Sequence, residues 1–131
     1  MKILYQGHLH TQSTHESGAV LETDAPKDNH GKGECFSPTD LLAVSLGTCM
    51  LTLMGITAEK LGLDLKGATA EVEKEMASSP RRIGRLVVRI RSRLSPNPEE
   101  RVKLEQAALG CPVKASLHPD IKLDIDFVWG L

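Results

Sequence analysis

The sequence predicts an α+β fold, on three observations. The stretch Ser37–Leu61 has no charged residue between Leu41 and Ala58, and it is apolar on nearly every side at helical spacing; it reads as a long, central, buried helix. From Leu65 to Met76 and from Arg82 to Leu94 the pattern switches to period two, the mark of half-buried strands, with Ser78-Ser79-Pro80 as the turn of a β-hairpin. Near the C-terminus, Ile121, Leu123, Ile125, Phe127 and Trp129 alternate with Lys122, Asp124 and Asp126, which gives a final strand. A length of 131 residues suits one domain, 1–131.

Taken in order, Lys2 to about His10 places Ile3 and Tyr5 between polar neighbours, and a second run spans Ala19 to Glu22. The first 24 residues are expected to form two or three short antiparallel strands. If the first strand is regular, His8 and His10 share one of its faces. Pro26 to Phe36 is polar and glycine-bearing, a loop that delivers the chain to the helix. Ser37 is the expected N-cap, Pro38 occupies the first helical position where a missing N–H costs nothing, and Asp40 faces the positive end of the dipole. Gly62 closes the helix, and Lys60 complements its negative end.

In the hairpin, Glu71, Glu73 and Glu75 share one face, as do Arg85, Arg89, Arg91 and Arg93. A register that sets Glu75 opposite Arg85 and Glu71 opposite Arg89 turns Val72, Leu86, Val88 and Ile90 inward. Pro96 to Leu109 is expected to be an amphipathic helix with Val102, Leu104, Ala107 and Ala108 on one face, ending at Gly110. Pro112 then starts a short helix, with Cys111 at its N-terminus.

Composition excludes several classes of function. A formal charge of -1 gives no global field toward nucleic acid or an anionic membrane. Six arginines between Arg81 and Arg93 lack interleaved aromatics and face glutamates, so they read as a solvated, internally paired sheet face rather than a nucleic-acid site. The charge-free helix is interrupted by Ser45, Gly47, Thr48, Thr52, Gly55 and Thr57, and no second span partners it; a core helix is expected, not a membrane span. The short apolar run Ile3-Leu4-Tyr5 is no secretory h-region, and an odd number of cysteines, three, fits a reducing cytoplasm. His8, His10, His15, His30 and Cys35 fall in a polar N-terminal region where such spacing arises easily by chance; they read as solvated histidines, and no metal is expected.

Cysteine chemistry supplies the remaining candidates. The thiolate is the nucleophile, so a working cysteine needs a lowered pKa, access and often a second, resolving thiol. Cys49 lies about three turns inside its helix, beyond the reach of the macrodipole. Cys111 has a helix N-terminus directly available, and some thiolate character is expected there without a partner. Residue types alone leave Cys49 open between an inert core filler and a nucleophile, and Met50 and Met54 read as core.

Ser37-Pro38-Thr39-Asp40-Leu41-Leu42 leading into Gly47-Thr48-Cys49-Met50, with Gly110-Cys111-Pro112-Val113 further on, resembles the OsmC/Ohr family of osmotically inducible and organic hydroperoxide resistance proteins. The order of elements resembles that family over essentially the whole chain. The resemblance implies an OsmC-like fold and an intertwined homodimer in which the long helix packs at the subunit interface. It also implies that Cys49 attacks the O–O bond of an organic hydroperoxide, that Cys111 resolves the sulfenic acid to a disulfide, and that an external dithiol restores the thiols, with no cofactor. Family peroxidases commonly place a glutamate where this chain has Thr39, with Asp40 one further on. They also bring an N-terminal arginine toward the thiolate, whereas no arginine precedes Arg81 here; the nearest counterpart by spacing is Asn29, in a loop that also offers His30. The alternative reading is a catalytically weak OsmC-like protein that holds a small apolar molecule at the dimer interface.

Overall fold

Strands β1 (Lys2–Gly7), β2 (His10–Thr14) and β3 (Val20–Asp24) form an antiparallel sheet in that order. They belong to the first of two units, Met1–Leu42 and Ala43–Leu131, into which the computed structural model divides; it describes residues 1–131. The expected first strand is cut short. His8 and Leu9 take positive φ values of 52° and 60°, so the chain turns between Gly7 and His10 and only His10 lies on a strand. His8 and His10 therefore do not share a strand face.

After β3 the loop makes a single 3-10 turn at Lys27–Asn29 and folds back on itself. Gly31 donates its N–H to the Pro26 carbonyl, and a Cβ at Gly31 would lie 1.6 Å from the Ala25 oxygen; only glycine fits there. Asp24 N–H then bonds to the Phe36 carbonyl at 3.1 Å, and the chain enters helix α1 (Pro38–Lys60).

Helix α1 starts as the residues dictate. Asp40 N–H donates to Ser37 Oγ at 3.1 Å, and Ser37 N–H donates to Asp40 Oδ2 at 2.9 Å, a reciprocal capping box with aspartate in the acidic role. At the far end Gly62 has φ of 69°, and the bonds from Leu63 N–H to Ala58 O and from Gly62 N–H to Glu59 O complete a Schellman motif.

In the second unit, β4 (Thr69–Ala77), β5 (Arg82–Ser92) and β6 (Lys122–Trp129) form a sheet with β5 in the centre, antiparallel to β4 and parallel to β6. The expected register holds at Glu71–Arg89 and Glu75–Arg85, then shifts by one residue between Glu75 and Met76. Arg85 pairs with Glu75 at 2.8 Å and also with Asp124 of β6, while Arg89 reaches the diagonal neighbour Glu73 at 3.0 Å instead of Glu71. The first strand of the hairpin begins later than its alternation suggests. Ala68 N–H bonds to Leu65 O, and Gly67 takes φ of 85°, which makes Leu65–Ala68 a turn. Arg93 falls one residue beyond the end of β5.

Ile83, Leu86, Val88 and Ile90 of β5 point into the core. There they join Ala43, Leu46, Met50, Met54 and Ala58 of α1, together with Leu104 and Ala108 of helix α2 (Pro98–Leu109). Asn97 and Glu100 form a second capping box at the start of α2. Val102 is 58% exposed: it lies two residues, or 200°, from Leu104, so the two cannot share a helix face. Trp129 Nε1 donates to Glu105 and ties the end of β6 to α2.

Within the single chain, α1 is buried along one face. Its buried residues, Ala43, Leu46, Gly47, Met50, Met54 and Ala58, recur at three and four residues and make one face. Leu42, Val44 and Ile56 on other faces are exposed. By length and composition α1 is able to cross a membrane, but its inner face packs on the sheet of its own chain. The helix approaches β4 at Gly47, where a Cβ would meet Val72 Cγ2 at 3.0 Å. Gly47→Leu should therefore force helix and strand apart and lower stability by roughly 1–3 kcal/mol or more, as measured by denaturant unfolding. Gly55, with open space around its Cβ position, should tolerate alanine.

Candidate functional site

Two clusters of reactive side chains emerge, one in each unit. In the second, Cys49 is half-buried on the flank of α1 and Cys111 is 1% exposed at the N-cap of helix α3 (Pro112–Ser116). Pro112 starts that helix, and Cys111 Sγ accepts the Lys114 N–H at 3.4 Å. Cys49 packs against the core cluster that contains Cys111, near enough to affect the Cys111 thiol. The fold therefore joins the two cysteines that the sequence singled out.

The expected thiolate character of Cys111 is not what the site produces. Burial pushes its thiol up from the ordinary cysteine range, and the neighbouring Cys49 adds to that; the N–H groups of Lys114 and Val113 offset only part of the effect. Desolvation disfavours the charged form and here outweighs one short helix end. Cys111 is held as a thiol.

The other residues considered for activating Cys49 lie in the first unit. Asp40 is occupied by the capping box, and the Thr39 hydroxyl is 3.2 Å from Ser37 Oγ. Asn29 and His30 are exposed in the loop, with His30 at φ of 66°.

The second cluster was missed because one of its members, Asp24, carries no motif. Asp24 is the register partner of His10 across β2 and β3, and its Oδ1 lies 2.5 Å from His10 Nδ1. Its Oδ2 accepts the backbone N–H groups of Glu34 and Cys35 at 3.1 and 3.0 Å. His10 Nε2 lies 3.3 Å from Glu22 Oε1. Asp24 first and Glu22 second hold His10 above the ordinary imidazole range, and His10 in turn holds Asp24 below the carboxylate range. The Cys35 thiol is pushed up by burial and then by the charge of Asp24 and Glu22. Of the histidines considered from sequence, only His10 joins Cys35; His15 bonds to Ser17.

An α+β fold with a helix cysteine near a second, buried thiol is the arrangement to set beside known proteins. The chain belongs to the family of OsmC-like proteins, whose family model matches residues 31–126. A Psychrobacter arcticus 273-4 protein ascribed to the osmotic stress induced and detoxification response is 46% identical, with a TM-score of 0.92 over 96% of this chain and 93% of that one. The organic hydroperoxide resistance protein OsmC of Legionella pneumophila shares the fold at 15% identity, with a TM-score of 0.75 over 97% of this chain and 93% of that one. The organic hydroperoxide resistance protein OhrB of Bacillus subtilis does so at 15% identity and a TM-score of 0.67, over 96% of each chain. No curated protein matches the chain.

Two outcomes follow for these groups. Ser37→Ala and Asp40→Ala should each cost about 1 kcal/mol of stability through the lost cap, while the alkylation rate of Cys49 in the folded protein stays unchanged. Alkylation of Cys111 in the folded protein should rise only at a pH above the ordinary thiol value of ~8.5, and return to that value on unfolding. Peptide mass mapping of iodoacetamide adducts against pH reads both cysteines at once.

Proposed function

We propose that the chain is a thiol-dependent peroxidase that reduces organic hydroperoxides to alcohols and works as a homodimer in oxidative-stress defence. The observation that carries this reading is the proximity of Cys49, half-buried on α1, to the buried thiol of Cys111 in one core cluster. The substrate class is supported by the names of the Legionella pneumophila and Bacillus subtilis proteins that share the fold. The exposed apolar residues Leu42, Val44 and Ile56 of α1 support a second copy of the chain as its partner. Packing of α1 against its own sheet supports a soluble protein, and the free thiols a cytoplasmic one.

Each group has a definite task. The Cys49 thiolate attacks one peroxide oxygen, the O–O bond breaks, and the departing alkoxide takes a proton to leave as alcohol. Cys49 is then a sulfenic acid. Cys111, stored as a thiol by its burial, gives up its proton and attacks the Cys49 sulfur; hydroxide leaves as water and a disulfide remains. An external dithiol reduces it by exchange. With Thr39 and Asn29 standing where family peroxidases carry glutamate and arginine, we take His30 as the candidate cation for Cys49 across the dimer.

Cys49→Ser should reduce thiol-dependent consumption of an alkyl hydroperoxide to the uncatalysed level. Cys111→Ser should allow one turnover and then stall as a sulfenic acid that dimedone traps and mass spectrometry counts. A Cys49→Ser protein with an unchanged rate overturns the peroxidase reading in favour of a binding protein.

A further inference from the structure

His10, Asp24 and Cys35 converge without any help from the dithiol site. Their ligand atoms all lie within 4.8 Å of one another, and the three residues come from β2, from the end of β3 and from the loop before α1. An ion pair between His10 and Asp24 accounts for two of them; it gives no reason for a thiol in the same place. We propose that His10 Nδ1, Asp24 Oδ1 and Cys35 Sγ form a binding site for a divalent cation of the zinc class.

The donor set selects the metal. One nitrogen, one carboxylate oxygen and one sulfur suit zinc and its neighbours, whereas magnesium and calcium take oxygen ligands. The arrangement around the donors is that of a metal site as well. A metal-bound histidine usually donates its other ring N–H to a carboxylate, and His10 Nε2 faces Glu22 Oε1 at 3.3 Å. A bound carboxylate is usually oriented by hydrogen bonds, and the second oxygen of Asp24 is fixed by the N–H groups of Glu34 and Cys35. One of those N–H groups belongs to the residue whose sulfur is the third donor, so the carboxylate also positions the thiol.

Loading the site exchanges protons for metal. The proton between His10 Nδ1 and Asp24 Oδ1 and the thiol proton of Cys35 both pass to solvent, and the metal takes their place. Nitrogen and oxygen, now 2.5 Å apart, must separate to roughly 3.3 Å to bind one tetrahedral ion at ~2.0 Å each. The fourth position is filled by water. Such an ion would join two strands and the loop of the N-terminal unit through a single centre.

The test uses the full chain, fully reduced, titrated with Co²⁺ as a coloured probe and with Zn²⁺ in competition. One Co²⁺ per chain should bind with a thiolate-to-cobalt charge-transfer band, and Zn²⁺ should displace it. Cys35→Ser should abolish the band, and His10→Gln should weaken binding at least about tenfold. The band should persist in the Cys49→Ser, Cys111→Ser double variant, which keeps this outcome separate from that of the peroxidase assay. In the wild-type chain, where folding is not in question, Zn²⁺ should block alkylation of Cys35 while leaving Cys49 reactive. Cobalt binding without a thiolate band, a band that survives Cys35→Ser, or alkylation of Cys35 indifferent to Zn²⁺ would each overturn the proposal.

Discussion

Helix α1 lies close to β4 because Gly47 has no side chain, and most of the second unit follows from that approach. With Gly47 against Val72 and Ala70, the helix can rotate little. Leu46, Met50 and Met54 are turned into the core against Leu86, Val88 and Ile90, and Cys49 falls on the flank. A flank position is half-buried by geometry, which for a nucleophile is a usable compromise between protection and access. A rotation of one residue along the helix would bury Cys49 in the core and move Met50 to the half-buried position of Leu51.

The neighbour of Cys49 is fixed by a separate device. Gly110-Cys111-Pro112 ends α2 and starts α3 within three residues, and the proline leaves the Cys111 side chain at the N-cap. The same turn buries the sulfur. Two effects of opposite sign then act on one thiol, the N–H groups at the helix start favouring charge and the core disfavouring it. Burial prevails because the short helix offers the sulfur only the N–H groups of Lys114, at 3.4 Å, and Val113, whereas exclusion of water acts on the whole sulfur. The pair is thus asymmetric in exposure, one sulfur on a flank and one in the core.

The sequence revealed those features whose cause is local. Ser37, Pro38 and Asp40 cap a helix through bonds that span three residues, and the alternation in Arg82–Ser92 is sufficient to place the second hairpin strand and its buried face. Non-local and turn-specific features were less legible. Nothing in the alternation of Leu65–Met76 marks its first four residues as a turn except Gly67, and the break at His8-Leu9 rests on two non-glycine residues at positive φ. The Arg89–Glu73 pair is diagonal because long side chains on a twisted sheet reach past the residue opposite, which a register alone does not reveal. Cys49 and Cys111 carried motifs, Gly47-Thr48-Cys49 and Cys111-Pro112, but their proximity comes from packing. Asp24 carried none. Its importance arises from strand pairing with His10 and from a loop that returns to it ten residues later, and single-sequence patterns are blind to both.

The polar cluster around Asp24 also has a structural rationale in the sheet that holds it. Ile3, Tyr5 and Val20 are well over half exposed, so β1, β2 and β3 gain little from apolar burial within the chain. A three-stranded sheet needs a hydrophobic face or a covering element to be stable, and within one chain the backbone ladder and side-chain links must supply more of the cohesion. Those links concentrate at one end: Thr11 Oγ1 to Thr23 Oγ1 at 2.6 Å, His10 to Asp24, and Asp24 to the N–H groups that anchor the loop. Thr23 and Asp24 are the two buried residues of β3, so the sheet is desolvated where its polar contacts are densest. Low dielectric strengthens satisfied contacts and penalises unsatisfied ones, which makes Asp24, with both oxygens committed, costly to replace.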